Sequence, residues 1–303
     1  MNTPLLSSVT LSLLFAAGSP CAGADMRQHL PVQGQDRSYV LRLPEAVRSG
    51  PARLPLVLVL HGGGGNAENA EQMTGFTEKG AREGFIVAYP EGTGRLKNKL
   101  LTWNAGHCCG SAMQGKVDDI GFIRALIEHL AANYPVDTQR IYITGLSNGG
   151  MMTHRLGLAL SDRVAAIAPV VATVFGDEPS PAQPVPALMI NGALDSSVPP
   201  AGGPPGGRFT QAWDGVPTQP ALAQGRLWAR ANGCSAEPQV SEIPGATQWR
   251  HACPAGREVE LLLVKDSGHA WPGGQAGSRR GDKPGTGLNA TDVIWGFFKA
   301  HSR

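Results

Sequence analysis

The chain has 303 residues, a formal net charge of +2 and a charged fraction of 17%. This length allows one or two domains of roughly 100–200 residues each, although α/β folds often use it for one. No run of Lys or Arg indicates a nucleic-acid surface, and no segment after the N-terminus is apolar enough to cross a bilayer, so we expect neither nucleic acid nor membrane as a partner.

The N-terminus resembles an export signal. The apolar run "LLSSVTLSLLFAAG" is too short to span a bilayer and is followed by "CAGAD", which contains an A-x-A-like cleavage pattern. We therefore predict a signal peptide over residues 1–24, one catalytic domain over 25–303, and a secreted or periplasmic protein. No Lys or Arg precedes the apolar run, so a disordered or buried N-terminal segment is the alternative.

Buried strands and helices follow one another along the chain. "SYVLRLP" alternates as an edge strand would, "LPLVLVLHGGGGN" is typical of a buried parallel strand with a glycine loop at its end, "MTGFTEKGAREG" predicts a short helix, and "FIVAYPEG" predicts another strand. The segment from Val117 to Asp137 has apolar residues at helical spacing, and Asp118 or Asp119 can cap its start.

The second half continues this alternation. Strands are predicted at "RIYITG", "VAAIAPVVA", "VPALMINGALD" and "EVELLLVKDSGH", and helices at "NGGMMTHRLGLALS", "QPALAQGRLWARANGC" and "NATDVIWGFFKAH". This order predicts an α/β fold with a mostly parallel central sheet and helices on both faces. The Gly- and Pro-rich segment 198–220 is too long for an ordinary connector, so we expect a loop near a binding site.

Ser147 lies in the frame G-L-S-N-G, between a predicted strand and a predicted helix. Glycines at 145 and 149 suit the tight turn that exposes a nucleophilic serine at the end of a strand. A serine that only caps the helix is the alternative.

A serine nucleophile needs a histidine base and a carboxylate, which follow it in the order Ser, Asp or Glu, His in this class of fold. Of the four downstream histidines, His269 follows a buried strand in a short loop, whereas His154, His251 and His301 do not. Asp195 also follows a buried strand and is the preferred acid. The alternative acids are Asp177, Asp214 and Asp266.

The negative oxygen of the reaction intermediate needs hydrogen-bond donors. The backbone amide of Asn148 and that of Gly63, with Gly64 as the alternative, are the predicted donors. His61 is interpreted as a structural residue of the glycine loop. No phosphate-binding pattern follows the glycines, and neither a metal nor an organic cofactor is expected.

Four cysteines remain after the predicted signal peptide. An even number in an exported chain indicates disulfides, and Cys234 with Cys253 is the preferred pair. Cys108 and Cys109 then form either a vicinal disulfide or buried thiols. A metal site at His107–Cys109 is disfavoured because consecutive ligands rarely face one ion.

The blocks "VLHGGGGNAE", "WNAGHCCG", "VDDIGFI", "RIYITGLSNGGMM", "NGALDSSVP" and "GHAWPGG" together resemble secreted polyhydroxybutyrate depolymerases and feruloyl or acetylxylan esterases of the carbohydrate esterase family 1 group. The resemblance implies an α/β-hydrolase fold with Ser147, Asp195 and His269 as the triad. It also suggests Trp103 and Trp271 as substrate-contacting walls, with ordinary packing as the alternative.

The resulting hypothesis is a serine carboxylesterase that acts on polyhydroxyalkanoate-type oligomers or feruloyl-type esters. An acetylxylan esterase, a peptidase or a thioesterase could use the same triad. A non-catalytic binding protein on this scaffold is the third alternative.

Overall fold

The computed structural model describes residues 27–47, 52–96, 99–206, 210–277 and 281–303. The predicted signal peptide lies outside the described residues. The described strands are β1 (Arg27–Val32), β2 (Gln35–Arg42), β3 (Leu54–Leu60), β4 (Ile86–Pro90), β5 (Val136–Leu146), β6 (Ala166–Val170), β7 (Ala187–Gly192), β8 (Gln239–Ile243), β9 (Ala246–His251) and β10 (Val259–Val264). The described helices are α1 (Ala67–Thr74), α2 (Phe76–Glu83), α3 (Gly110–Gln114), α4 (Asp119–Asn133), α5 (Asn148–Ala159), α6 (Ala221–Asn232) and α7 (Ala290–Phe298).

The strands form one sheet in the order β1-β2-β4-β3-β5-β6-β7-β10-β9-β8. Six central strands are parallel, namely β4, β3, β5, β6, β7 and β10. Antiparallel pairs extend the sheet at both ends. All seven residues of β3 are buried, as expected for a central strand covered on both faces. The predicted α/β-hydrolase fold is therefore confirmed.

Three details differ from the sequence-based expectation. The strand predicted at the edge, β2, is covered by β1, and the hairpin of β8 and β9 was not predicted at all. These outer strands carry few buried residues, so their apolar pattern is weak. The helix predicted over "MTGFTEKGAREG" corresponds to α2, and a further helix that was not predicted, α1, precedes it and ends at Gly75, whose φ of 65° separates the two.

The helix α4 begins as the sequence predicted. The Asp118 side chain accepts a hydrogen bond from the amide of Gly121 at 2.8 Å, which is an N-cap contact. Phe122, Ile123 and Leu126 of this helix are buried against the sheet. The parallel strands end at a common edge of the sheet, where the loops after β3, β5, β7 and β10 meet.

Candidate active site

Ser147 occupies a strained turn between β5 and α5. Its φ of 56° and ψ of −120° are unusual for a residue with a side chain. The neighbouring glycines are required by space, because a Cβ at Gly145 would lie 2.6 Å from the carbonyl oxygen of Gly149, and one at Gly149 would meet the carbonyl oxygen of His61. This turn brings the serine side chain to the edge of the sheet in a half-buried position.

His269 contacts both Ser147 and Asp195. Its Nε2 lies 2.8 Å from Ser147 Oγ, and its Nδ1 lies 2.8 Å from Asp195 Oδ2. A carboxylate accepts, so Nδ1 carries a proton and donates a hydrogen bond to Asp195, which leaves Nε2 to accept a hydrogen bond from the serine hydroxyl. The structure therefore brings together the three residues that the sequence analysis selected, in a geometry suited to proton transfer.

Asp195 is fixed by its own loop. Its side chain is buried, and Oδ1 accepts hydrogen bonds from the amides of Ser197 and Val198, each at 2.8 Å. The amide of His269 in turn donates to Asp282 Oδ2 at 2.6 Å. Asp282 was not selected from the sequence, since no local pattern places it beside His269.

Two other candidate histidines have different partners. His154 is buried in α5 and contacts Gln224 and Trp228 of α6, at 2.7 and 2.9 Å. His301 Nε2 lies 2.6 Å from Glu258 Oε2. Neither histidine contacts Ser147, so His269 alone among these three has the geometry of a base for the serine.

The glycine loop after β3 lies against the turn of Ser147. A Cβ at Gly63 would lie 3.5 Å from the Cβ of Asn148, so the two backbones run side by side. Within the described part of the chain, the amides of Gly63 and Asn148 donate no hydrogen bond, whereas the amide of Gly64 donates to Leu101 at 2.7 Å. Gly63 and Asn148 are thus the two predicted donors with available N–H groups, and the Gly64 alternative is used elsewhere.

His61 holds this loop from inside the protein. Its Nδ1 lies 2.8 Å from the carbonyl oxygen of Gly62, and its Nε2 accepts from the amide of Gly92 at 3.0 Å. One nitrogen donates and the other accepts, so the ring is neutral, and burial lowers the pKa of His61 to about 4. The structural interpretation of His61 agrees with these contacts.

The predicted walls, Trp103 and Trp271, are core residues, which corrects that expectation. Trp103 is 0% exposed and donates from Nε1 to the carbonyl oxygen of His61, while Trp271 is 1% exposed and donates to Thr291. A side chain without solvent-accessible surface cannot contact substrate in this arrangement. Packing, the alternative reading of both tryptophans, describes them better.

The side chain of Asn148 has a role that the sequence analysis missed. Its Oδ1 accepts from the amide of Trp103 at 2.7 Å, and its Nδ2 donates to the carbonyl oxygen of Trp103 at 3.0 Å. This two-point contact ties the segment 103–109 to the residue that follows Ser147. Only the pairing of positions 45 residues apart reveals it.

The family comparison extends over the first part of this site. Residues 37–201 match the family model described as "Esterase PHB depolymerase", a region that includes Ser147 and Asp195 and ends before His269. The chain belongs to this family. The predicted resemblance is therefore confirmed at the level of the esterase family.

Relatives in this esterase family include feruloyl esterase B of Piromyces equi, which is 30% identical over 80% of this chain and 44% of its own length. Poly(3-hydroxyalkanoate) depolymerase C of Paucimonas lemoignei is 33% identical over 43% of this chain and 31% of its own. The chain thus spans less than half the length of either relative. Acetyl xylan esterase from Aspergillus awamori shares the fold, with a TM-score of 0.60 at 12% identity over 90% of this chain and 98% of that one.

The segment 198–220 packs against the segment that Asn148 holds. Within its described part, the backbone of Trp213 pairs with that of Cys108, and the Trp213 ring lies 6.0 Å from the ring of Phe175. Asp214 Oδ2 contacts His107 Nδ1 at 2.6 Å. These contacts place the segment beside the site, while residues 207–209 lie outside the described residues.

His107 has carboxylates on both sides. Its Nε2 lies 2.9 Å from Asp177 Oδ2, opposite the Asp214 contact. Both ring nitrogens must donate to carboxylates, so the ring carries both protons. Asp177 and Asp214, considered as alternative acids for the triad, thus bind this histidine instead of His269.

The four cysteines among the described residues form two disulfides. Cys234 and Cys253 are bonded with a Cα–Cα distance of 4.1 Å, as preferred from the sequence. Cys108 and Cys109 are bonded as a vicinal disulfide, the first of the two arrangements considered, and both are buried. Among the described residues, no three His, Cys, Asp or Glu side chains are grouped as metal ligands would be, and no helix is long and apolar enough to cross a membrane.

Proposed function

We propose that this protein is a serine carboxylesterase that acts through an acyl-enzyme. The observation that carries the proposal is the chain of two 2.8 Å hydrogen bonds from Ser147 through His269 to Asp195. Membership of the esterase family supports it independently.

In the first half of the reaction, Ser147 Oγ attacks the ester carbonyl carbon while its proton passes to His269 Nε2. Asp195 stabilises the doubly protonated imidazole and keeps Nδ1 as the donor. The carbonyl oxygen gains negative charge and accepts from the amides of Gly63 and Asn148. The bond to the alcohol then breaks, and His269 returns the proton to the departing oxygen.

In the second half, water replaces the alcohol. His269 Nε2 removes one proton from the water as its oxygen attacks the acyl carbon, and the same proton returns to Ser147 Oγ when the acid leaves. The strained turn keeps the serine oxygen in place through both halves. Held geometry of this kind removes the entropic cost of aligning the reactants.

The proposed substrates are feruloyl-type esters or hydroxyalkanoate oligomers. Feruloyl esterase B of Piromyces equi is 30% identical over 80% of this chain, and poly(3-hydroxybutyrate) depolymerase of Ralstonia pickettii is 25% identical over 77%, so both types of ester belong in the first test. The described part of segment 198–220 contacts His107 and Cys108, in the segment that Asn148 holds beside Ser147, and this position supports a preference for short esters. Export to an oxidising compartment is part of the proposal and is supported by the Cys234–Cys253 disulfide.

The test combines labelling with a substrate panel. A fluorophosphonate probe should label wild type at Ser147 and should not label Ser147→Ala, whereas a non-catalytic binding protein would show no labelling of either. The panel compares methyl ferulate, a soluble hydroxybutyrate trimer, p-nitrophenyl acetate, a polyhydroxybutyrate film and a peptide. Turnover of the peptide alone, or rapid clearing of the film with slow turnover of both soluble esters, would contradict the proposed substrate class.

A further inference from the structure

A cavity of about 170 Å³ lies away from Ser147, between α6 and the end of the sheet formed by β9 and β8. Val240, Trp249 and Leu261 form one row across β8, β9 and β10, because Trp249 pairs with both of the others. This row forms an apolar wall, and Leu222 of α6 adds to it. No residue of the proposed triad lines the cavity.

His251 supplies an unpaired nitrogen to this cavity. The residue is 5% exposed, and its Nδ1 lies 2.8 Å from the carbonyl oxygen of Ser235. A carbonyl only accepts, so Nδ1 carries the proton, and in the neutral ring Nε2 is left as an acceptor. Within the described residues, no group donates to Nε2, so this nitrogen is available to a donor that enters the cavity.

The space in front of this nitrogen depends on Gly225. A Cβ built on Gly225 of α6 would lie 3.3 Å from His251 Nε2, so glycine leaves open the position that a methyl group would fill. Gly225 lies inside α6 with an ordinary helical φ, where glycine has no conformational advantage. Open space beside Nε2 therefore explains a glycine at this position better than backbone conformation does.

Further polar groups around the cavity also have free hydrogen-bonding positions. Trp249 Nε1, the Arg226 guanidinium and the Glu237 carboxylate make no hydrogen bond or ion pair with the rest of the described chain. The charges of Arg226 and Glu237 have opposite signs. The cavity thus combines an apolar wall with donors and acceptors and carries no net charge from these two residues.

We propose that this cavity binds one neutral pyranose unit, such as a xylose or glucose residue of a polysaccharide. A sugar hydroxyl can donate to His251 Nε2 and accept from Trp249 or Arg226, while the apolar ring face packs on the wall. A carboxylate has no proton for Nε2, and an apolar acyl chain would leave Nε2 unsatisfied. A cavity of about 170 Å³ suits one sugar ring, while the rest of a sugar chain would lie outside it.

Such a site would hold a polysaccharide chain on the enzyme while an ester elsewhere on the same chain reaches Ser147. Tethering of this kind raises the local concentration of the ester without a new contact at the site of reaction. Sugar binding does not depend on the proposed ester hydrolysis, because the two use different residues.

The test is calorimetric titration of the full protein with xylohexaose and cellohexaose, which contain no ester. Saturable binding of at least one sugar is expected for wild type. Gly225→Ala should weaken it at least about tenfold, as loss of one buried hydrogen bond would, and Trp249→Ala should weaken it as well. Gly296→Ala is the matched control, since Gly296 lies in α7 with no atom within 4 Å of its added Cβ.

Turnover of p-nitrophenyl acetate by Gly225→Ala should equal that of wild type, and a cooperative urea transition would show that the variant folds with its Cβ beside His251 Nε2. The proposal is overturned if neither sugar binds saturably, or if Gly225→Ala binds as tightly as wild type. It is also overturned if a hydroxybutyrate trimer binds to wild type in a Gly225-dependent manner and the sugars do not. Loss of esterase activity in Ser147→Ala with sugar binding retained would separate the two proposals.

Discussion

Two loops beside Ser147 are held by histidines that differ in charge, one neutral and one cationic. His61 fixes the glycine loop from the interior, with one donated and one accepted backbone hydrogen bond. His107 lies near the surface, with Asp177 and Asp214 at its two ring nitrogens. The same residue type thus anchors one loop as a neutral group and the other as a cation.

The surroundings of each ring explain the difference. Burial lowers the pKa of His61 to about 4, because the charged form would lose its hydration. The hydrogen bond to Asp177, together with the contact to Asp214, raises the pKa of His107 above its ordinary value. Burial favours the neutral ring, whereas neighbouring carboxylates favour the charged one.

Both loops lie beside Ser147, whose hydroxyl is the proposed nucleophile. Removal of this hydroxyl should therefore have the largest effect on activity. We expect Ser147→Ala to lower kcat by about three orders of magnitude or more, with the fold intact. Ser197→Ala is the matched control, since the Asp195 contact uses only its backbone amide. Initial rates with p-nitrophenyl acetate and thermal unfolding measure this. Retention of more than about a tenth of the activity would exclude Ser147 as the nucleophile.

Replacement of His61 by Phe should show that the glycine loop depends on the hydrogen bonds of this buried side chain. The change leaves the amide of Gly92 without its side-chain acceptor, at about 1–3 kcal/mol, and removes one of the two hydrogen bonds to the carbonyl of Gly62, which keeps the amide of Gly65. We expect the free energy of unfolding to fall by about 1.5–4 kcal/mol, with a lower kcat. Urea unfolding measures the loss. His29→Phe, on an exposed strand, is the control and should change it by less than about 0.5 kcal/mol.

The two histidines should change the free energy of unfolding in opposite directions as the pH changes. The unfolded chain takes up a proton at His61 below pH 6.5, but the folded chain does so only near pH 4. His61 therefore lowers stability as the pH falls through this window, by at most about 1.4 kcal/mol per pH unit. Buried His154, whose pKa is also lowered to about 4, acts in the same direction.

For His107 the sign is reversed. Its folded-state pKa is raised, so its contribution is fully present below pH 6.5 and is lost as the pH rises through the raised value. Urea unfolding of wild type, His61→Phe and His107→Gln from pH 4 to 9 tests both signs. The gap between wild type and His61→Phe should narrow in acid, and the gap to His107→Gln should narrow in alkali. Parallel curves for all three proteins would contradict the assigned charge states.

The smallest effect is expected from His107→Gln at neutral pH. Asp177 is 69% exposed, so the pair is screened, and we expect a stability change of about 1 kcal/mol or less. The functional effect should appear in KM for the larger esters rather than in kcat for p-nitrophenyl acetate, because His107 fixes segment 198–220 and contacts neither Ser147 nor His269. If His107→Gln lost as much kcat as His61→Phe, the two loops would contribute equally to turnover, and the prediction would be wrong.

The sequence by itself determined the local features of this protein. The glycine spacing around Ser147, the buried strands and the chain order of Asp195 and His269 could be read because each depends on neighbours along the chain. The capping of α4 by Asp118 is local in the same way. Continuous apolar runs predicted the strands of the central sheet. They did not predict β1, β8 and β9, because these strands form mainly by pairing with strands already in place.

Only the tertiary structure decided which distant side chains meet. Ser147 and His269 are 122 residues apart, and their 2.8 Å contact depends on the order of strands in the sheet. The same folding buries Trp103, which its flanking residues did not reveal, and pairs its backbone with Asn148. It also directs Asp177 to His107, since a carboxylate in a loop takes whichever donor the packing of separate elements brings within reach. Local pattern sets the type of element and the candidate residues, and the packing of remote elements sets their burial, charge and partners.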